Sequence, residues 1–296
     1  MIKTSTLSNA HAITSVGRGE IQSLVEITLS EDIRSGDLTA ELIDPEFQTE
    51  AQLITRQDAV LCGTDWFEEV FRQLDTSVRV EWHAADGDEI LTDQAVCRVT
   101  GRARPILTGE RSAINLLQTL SGTATETSRY AKLLVGTGTR LLDTRKTVPG
   151  LRAAQKYAVR CGGGFNHRMG LHDGILIKEN HLRADEGVGE ILARAHAVAP
   201  PRALLEIEVE TLGEFEAALA AGAKRILLDN FAVADLECAV ALNHGRAKLE
   251  ASGNVRLDNI RAIAETGVDF ISVGSITKHV SAVDFSLQFR NSQSQH

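Results

Sequence analysis

Apolar and polar positions change their pattern twice along the chain, near Glu50 and again after Gly138. Up to about residue 20 the chain is polar and aperiodic, which predicts a mobile lead-in to a helix carrying Ile21, Leu24, Val25 and Leu29. EDIRSGDLT then reads as a turn, where Asp32 and Asp37 fit helix-end and turn chemistry better than catalysis. From Glu50 to Gly101 the apolar runs are short and β-rich (EAQLIT, AVLCG, SVRVEWH, AVCRVTG) around one helical stretch, DWFEEVFRQL. They predict an α+β unit in which Trp66 and Trp82 are packing residues. Residues 105 to 134 predict helix, with Ile114, Leu117 and Leu120 on one face and a break at Ser121–Gly122.

After Gly138 a short apolar run is repeatedly followed by a helical stretch: RLLD, GILIK, LLEIEVE, RILLD, AKLEAS and VDFISVG. Such a βα series predicts parallel strands with crossover helices, as a barrel or a doubly wound sheet. Each run ends on polar, charged or glycine residues: Asp143 to Lys146, Lys178, Glu208, Asp229, Ser252-Gly253-Asn254 and Gly274-Ser275. In β/α barrels the C-terminal ends of the strands carry the active site, so six such ends in series predict a polar bowl there.

Composition narrows what the bowl holds. The balance of 43% apolar and 24% charged residues is that of a soluble globular protein, and no apolar run is long enough to span a bilayer. With no secretory signal pattern, a cytoplasmic location is expected. Cys62, Cys97, Cys161 and Cys238 form no C-x-x-C pair and read as reduced packing residues. A net charge of −9 and 4% aromatic residues argue against a nucleic-acid surface.

Charge is distributed unevenly. Between Arg140 and Arg183 stand nine Lys or Arg against three acids, a net +6 in a chain that is otherwise −15. This segment contains CGGGFNHRMG, and positive charge beside a glycine-rich loop predicts a small anionic ligand. Arg145 and Arg168 suit bidentate pairing with carboxylate or phosphate, and Lys146 and Lys178 act as compact charges. His167, between two cationic strand ends, is a candidate ligand contact. Glu208 and Asp229 suit ribose hydroxyls or Mg²⁺, and the SGN and VGS turns offer backbone N–H groups to a phosphate. Arg111, taken alone, reads as a solvated surface charge.

ERSAINLLQTLSG, LLDTRKTVPGLRAAQKYAVRCGGGFNHRMG, ILIKENH, EIEVE, LLDN, EASGN and VDFISVGSITKH together resemble the quinolinate phosphoribosyltransferase family, in its order and over roughly residues 30 to 285. The resemblance implies an N-terminal α/β sandwich domain, 1–114 with the tail 280–296, and an incomplete β/α barrel of the type II phosphoribosyltransferases, 115–279. It also implies transfer of phosphoribosyl from phosphoribosyl pyrophosphate to quinolinate with Mg²⁺, yielding nicotinate mononucleotide, pyrophosphate and CO₂ for NAD synthesis.

On the same resemblance, the protein is a homodimer with Arg111 of one subunit completing the other's site. Arg145, His167, Arg168 and Lys178 bind the dicarboxylate with that Arg111, and Thr144 and Lys146 extend the anion surface. Glu208 and Asp229 stand near the ribose and metal; Ser252, Gly253, Asn254, Gly274 and Ser275 hold the 5′-phosphate. Lys146, Lys178, Glu208 and Asp229 are the residues implied to act in catalysis. The family commonly has glycine where Arg34 stands and leucine where Met169 stands, which bears on local turn geometry only.

Overall fold

The computed structural model describes residues 15–178, 187–200 and 203–289. The predicted lead-in falls largely on residues 1–14, outside the described residues, and so do Glu179 to His181 of the ILIKENH motif.

Four antiparallel strands form the first sheet, in the order β12 (Phe285–Phe289), β1 (Gln48–Thr55), β5 (Ala95–Arg102) and β3 (Arg79–Trp82). The C-terminal strand thus returns to the N-terminal sheet, pairing Leu287 with Leu53. A separate two-stranded ladder joins β2 (Ala59–Val60) to β4 (Glu89–Ile90). Helices α1 (Arg18–Ile33) and α2 (Thr64–Leu74) pack beside this sheet. In α2 the buried Trp66, Phe67, Val70 and Phe71 recur at helical spacing, and each large side chain contributes about 2 kcal/mol by leaving water. Trp82 stacks edge-on against Phe67 at 5.3 Å and donates its indole N–H to Glu68, so both tryptophans are packing residues.

One helix, α3 (Ala103–Leu133), is the spine between two cores. Ile106, Ile114, Leu117 and Leu120 belong to the first core, and Tyr130 near its far end belongs to the second. The predicted break at Ser121–Gly122 does not occur, because these small residues serve close packing instead. The Ser121 hydroxyl bonds both the backbone N–H and the carbonyl of Cys62. A Cβ at Gly122 would lie 2.2 Å from the Ser281 carbonyl oxygen. The C-terminal chain therefore reaches β12 across the surface of α3 only because residue 122 is glycine.

The second sheet has six parallel strands in the order β6 (Arg140–Leu142), β11 (Phe270–Ser272), β10 (Lys248–Ser252), β9 (Arg225–Asp229), β8 (Leu204–Val209) and β7 (Gly174–Ile177). Apart from β6 closing onto β11, neighbours are consecutive and no switch point occurs; the sheet is an incomplete barrel, not a doubly wound sheet. The helices between its strands are α4 (Arg152–Cys161), α5 (Val188–Val198), α6 (Leu212–Ala220), α7 (Val233–Asn243) and α8 (Ile260–Glu265), and the short α9 (Ser275–Lys278) follows β11 and leads back to β12 of the first sheet. The start of α6 is set locally by a capping box, in which Thr211 and Glu214 satisfy each other's backbone N–H groups.

Between β6 and β7, which are not paired, lies the glycine-rich loop. Phe165 bridges Leu142 in the parallel sense, donating to the Leu141 carbonyl and accepting from the Asp143 N–H. Its ring lies under the guanidinium groups of Arg140 and Arg160 at 5.2 and 4.6 Å. The loop thereby acts as a rudimentary strand that fixes the residues after it.

Two local expectations differ in outcome. Asp37 accepts hydrogen bonds from the Thr39 and Ala40 N–H groups and the Thr108 hydroxyl, which hold its carboxyl below the usual range, as turn chemistry requires. Cys238 is exposed on α7, whereas the other three cysteines are buried as expected. Arg34 ends α1 at φ 44°, a backbone region that favours glycine, which accounts for glycine suiting this position.

Candidate active site

Strand alternation sorts the barrel interior into layers. On β8, β9 and β10 the residues two apart share a face, so Glu206 goes with Glu208, Arg225 with Leu227 and Asp229, and Glu250 with Ser252. The register sets Asp229 beside Ser252 and Leu227 beside Glu250. At the C-terminal ends these residues open into a cavity of about 250 Å³. Arg145, Arg168, Lys146 and Lys178 form its cationic wall, facing Glu208 and Asp229, with Leu176 and Leu227 as apolar lining.

Among the described residues, neither arginine of the cationic wall forms a hydrogen bond to a carboxylate. Burial, and next the charge of Arg145, push the Arg168 guanidinium below its usual range, so the two arginines repel each other across the cavity wall. Arg168 donates Nη1 to the Gly174 carbonyl, a neutral partner. The Nε of Arg145 is buried and has no hydrogen-bond partner. A buried, unpaired, charged donor is costly unless a ligand supplies the acceptor. Lys178 donates to both oxygens of Glu208, at 2.8 and 3.1 Å.

Two buried polar clusters hold this wall in place. In the first, Lys156 and Asp143 form an ion pair at 1% and 0% exposure. Asp143 also accepts from the Asn166 side chain and the His167 N–H, and Lys156 donates to the His167 carbonyl. Burial pushes Asp143 up and Lys156 down, each against the attraction of the other charge. The pair therefore pins the loop at the end of β6, with little net gain in stability.

In the second cluster, Arg225 donates Nε to Glu206 at 2.9 Å and Nη2 to Glu250 at 2.5 Å, with its guanidinium over the Phe270 ring. His167 Nδ1 accepts the Arg168 N–H, so the ring is the Nε2–H tautomer and donates to Glu206 at 2.7 Å. Burial opposes ionisation of Glu206, but the His167 hydrogen bond and the Arg225 charge outweigh it and hold that carboxyl low. Glu250 differs: burial, and then the charge of Glu206, push it up to about 7.

Comparison with known proteins decides the family. Residues 37–121 match the quinolinate phosphoribosyl transferase N-terminal domain and residues 123–288 the C-terminal domain. The chain belongs to the quinolinate phosphoribosyltransferase family. A Bacillus subtilis family member named probable nicotinate-nucleotide pyrophosphorylase [carboxylating] is 38% identical over 268 residues, spanning 90% of this chain and 93% of the relative. The solved nicotinate-nucleotide pyrophosphorylase of Francisella tularensis superposes with a TM-score of 0.91 at 46% identity, over 94% of this chain and 99% of that one. NadC from Streptococcus pyogenes gives 0.90 at 36% identity, over 94% and 100%.

Within this member of the quinolinate phosphoribosyltransferase family, the cavity brings together Thr144, Arg145, Lys146, His167, Arg168, Lys178, Glu208, Asp229 and Ser252. Gly274 lies against this wall, since a Cβ there would meet the Lys146 side chain at 3.0 Å. Ser275 opens the short α9 and touches the Tyr130 hydroxyl. Gly253 and Asn254 form the turn after β10. At φ 91° a Cβ on Gly253 would fall 2.2 Å from Asn230 Oδ1, an atom that Asn254 Nδ2 also approaches. Arg111 is not brought in: it lines a different cavity, with Glu31, Asp32 and Asn115.

Sequence reasoning missed Glu206, Arg225 and Glu250, although each lies an even number of residues from a candidate on the same strand. It also missed the meeting of Cys62, Asp86 and Cys161, whose potential ligand atoms lie within 4.8 Å of one another. Asp86 is already used there by the Gly63 and Thr64 N–H groups and the Tyr157 hydroxyl. For Mg²⁺ the fit lies at Glu208 and Asp229, hard oxygen donors on adjacent strands. Lys178 holds both Glu208 oxygens and Asn230 Nδ2 donates to Asp229, so a cation here would share these oxygens and complete its shell with phosphate and water.

Proposed function

We propose that this chain transfers the phosphoribosyl group of phosphoribosyl pyrophosphate to quinolinate, with loss of pyrophosphate and CO₂, in NAD biosynthesis. The observation that carries this reading is the wall of Arg145 and Arg168, with a buried donor unpaired, set opposite two carboxylates. A flat dicarboxylate on the cations and a phosphorylated ribose on the acids would use both halves of the cavity. Family membership and relatives carrying this activity in their names support the same assignment.

In this reading Arg145 and Arg168 orient the ring so that its nitrogen attacks the anomeric carbon as pyrophosphate leaves. Lys146 stabilises the leaving charge, and Glu208 and Asp229 hold the ribose hydroxyls. Mg²⁺, held through Glu208 and Asp229, would supply Lewis-acid stabilisation of the pyrophosphate. Once the nitrogen is quaternised, the pyridinium ring accepts the electron pair of the departing carboxylate, and Lys178 keeps the substrate in position. His167 supports Arg168 through its backbone. Ser252, Gly253, Asn254, Gly274 and Ser275 receive the 5′-phosphate.

The test measures pyrophosphate and CO₂ with quinolinate and, in parallel, with nicotinate. Both products are expected from quinolinate; release from nicotinate alone overturns the substrate assignment.

We further assign a cytoplasmic homodimer, with domains 1–114 plus 280–296 and 115–279. The separate cavity around Arg111 supports a site completed across two chains. No helix among the described residues is long and apolar enough to cross a membrane. Mixing inactive Arg111→Ala and Lys146→Ala proteins is expected to restore about a quarter of wild-type activity, because half the chains pair as hybrids with one intact site in two. No recovery after verified subunit exchange rejects the shared site.

A further inference from the structure

A buried polar node ties the loop bearing Arg145 and Lys146 to α9. Its members, Thr123, Gln155 and Thr277, are fully buried and come from three elements, α3, α4 and α9. Gln155 is bonded on both sides. Its Oε1 accepts the Val148 N–H at 2.8 Å, and its Nε2 donates to the Thr277 carbonyl at 2.8 Å and to the Thr123 hydroxyl at 3.3 Å. Because α9 is a single turn, its last carbonyls have no intrahelical donor, and Gln155 supplies one to Thr277. The Thr277 hydroxyl in turn donates to the Lys146 carbonyl at 2.8 Å.

Lys146 is the residue this node serves. Its ammonium stands on a flexible four-carbon stem, so where it reaches depends on where the backbone is held. Both backbone polar groups are held by threonine hydroxyls, the N–H by Thr144 Oγ1 at 3.0 Å and the carbonyl by Thr277. The stem passes over the start of α9, where a Cβ on Gly274 would meet Lys146 Cδ at 3.0 Å. We propose that Thr277, itself held by Gln155, is a positioning residue that sets the Lys146 ammonium where the pyrophosphate leaves. The inference rests on the role given to Lys146 above. The same turn carries Ser275, assigned above to the 5′-phosphate, so the Thr277 link fixes the cation for the leaving group relative to the anchor for the other end of one substrate. A shift of about 1 Å in such a group costs up to about 100-fold in rate. Arg145 is supported separately, since its carbonyl accepts from the Thr147 N–H and from Arg152 Nη2. Loss of the Thr277 hydroxyl should therefore affect pyrophosphate and spare quinolinate.

Thr277→Val keeps the volume and the carbonyl used by Gln155 but leaves the Lys146 carbonyl without its donor. Binding of pyrophosphate with Mg²⁺, measured by titration calorimetry, is expected to weaken about tenfold, and kcat at saturating substrates to fall about tenfold. Quinolinate affinity should stay within about twofold of wild type. Thr277→Ser restores the hydroxyl and should bring pyrophosphate binding and kcat to within about threefold of wild type. Thr277→Ala should reproduce the valine result, so the outcome does not hang on how one branched side chain packs. Wild-type pyrophosphate binding in both hydroxyl-free variants, or an equal loss of quinolinate binding, overturns the proposal.

A double-variant cycle checks that Thr277 acts through Lys146. Lys146→Ala is expected to weaken pyrophosphate binding, and adding Thr277→Val should then change it by less than about twofold, because no ammonium remains to be placed. A further loss of about tenfold in that background overturns the proposal. If Lys146→Ala instead binds pyrophosphate as wild type does, the role of Lys146 in the functional reading fails, and the positioning role fails with it.

Discussion

Arg145→Ala is expected to lower kcat/KM for quinolinate by about a thousandfold, the scale for truncating one member of a buried, hydrogen-bonded charge pair. Without ligand, Arg145 Nε is buried with no acceptor, and its charge lies close enough to Arg168 to depress that group. The side chain therefore costs stability until a carboxylate arrives, and its binding contribution includes relief of that cost. Truncation should leave the melting temperature unchanged or slightly higher, which separates a ligand-binding role from a structural one. Arg145→Lys should recover little activity, because a single ammonium cannot reproduce the planar two-point contact. Titration calorimetry with quinolinate and thermal melting check both parts; quinolinate turnover within threefold of wild type in Arg145→Ala would reject the assignment.

Much of this site was legible because strand-end chemistry is local. Asp143 to Lys146, Lys178, Glu208, Asp229 and Ser252 each stand at or just after the end of an apolar run, and a parallel barrel converts that shared position into one rim. Residues one layer deeper are equally periodic, but they lie within the apolar runs and not at their ends. Glu206 is two residues before Glu208, Arg225 four before Asp229 and Glu250 two before Ser252, so the period of two places them under the rim. A charged residue within an otherwise apolar strand was the available signal, since burial of such a group demands a partner.

Other features depend on contacts between distant segments. Ser121–Gly122 has the composition of a break, and only the approach of Ser281 and Cys62 explains why the helix continues. Cys62 and Cys161 lie 99 positions apart and meet only through the packing of α4 on the first core. Arg111 illustrates a further limit: within one chain it lines a cavity separate from the cationic wall, and the proposed contribution to a partner's site is something no periodicity within one chain encodes.

Lys156→Met is expected to destabilise the fold by about 3–5 kcal/mol, the cost of stranding one member of a fully buried ion pair. Asp143 would keep hydrogen bonds from Asn166 and the His167 N–H but lose its counter-charge. Its carboxyl, already raised by burial, would rise further, so the native state would bind a proton that the unfolded chain has released. Stability of the variant should therefore fall as pH rises from the ordinary carboxylate range toward the raised native value, and recover on acidification through that window. Wild type should show a shallower change, because Lys156 offsets part of the burial effect. Adding Asp143→Asn should recover about half of the lost stability by removing the stranded charge. Activity should stay low, since the His167 carbonyl still lacks its Lys156 donor and the loop bearing Arg168 is no longer pinned. Melting curves across pH, with quinolinate kinetics on both variants, separate these effects; wild-type activity in the double variant would show that the pair is dispensable for placing the cationic wall.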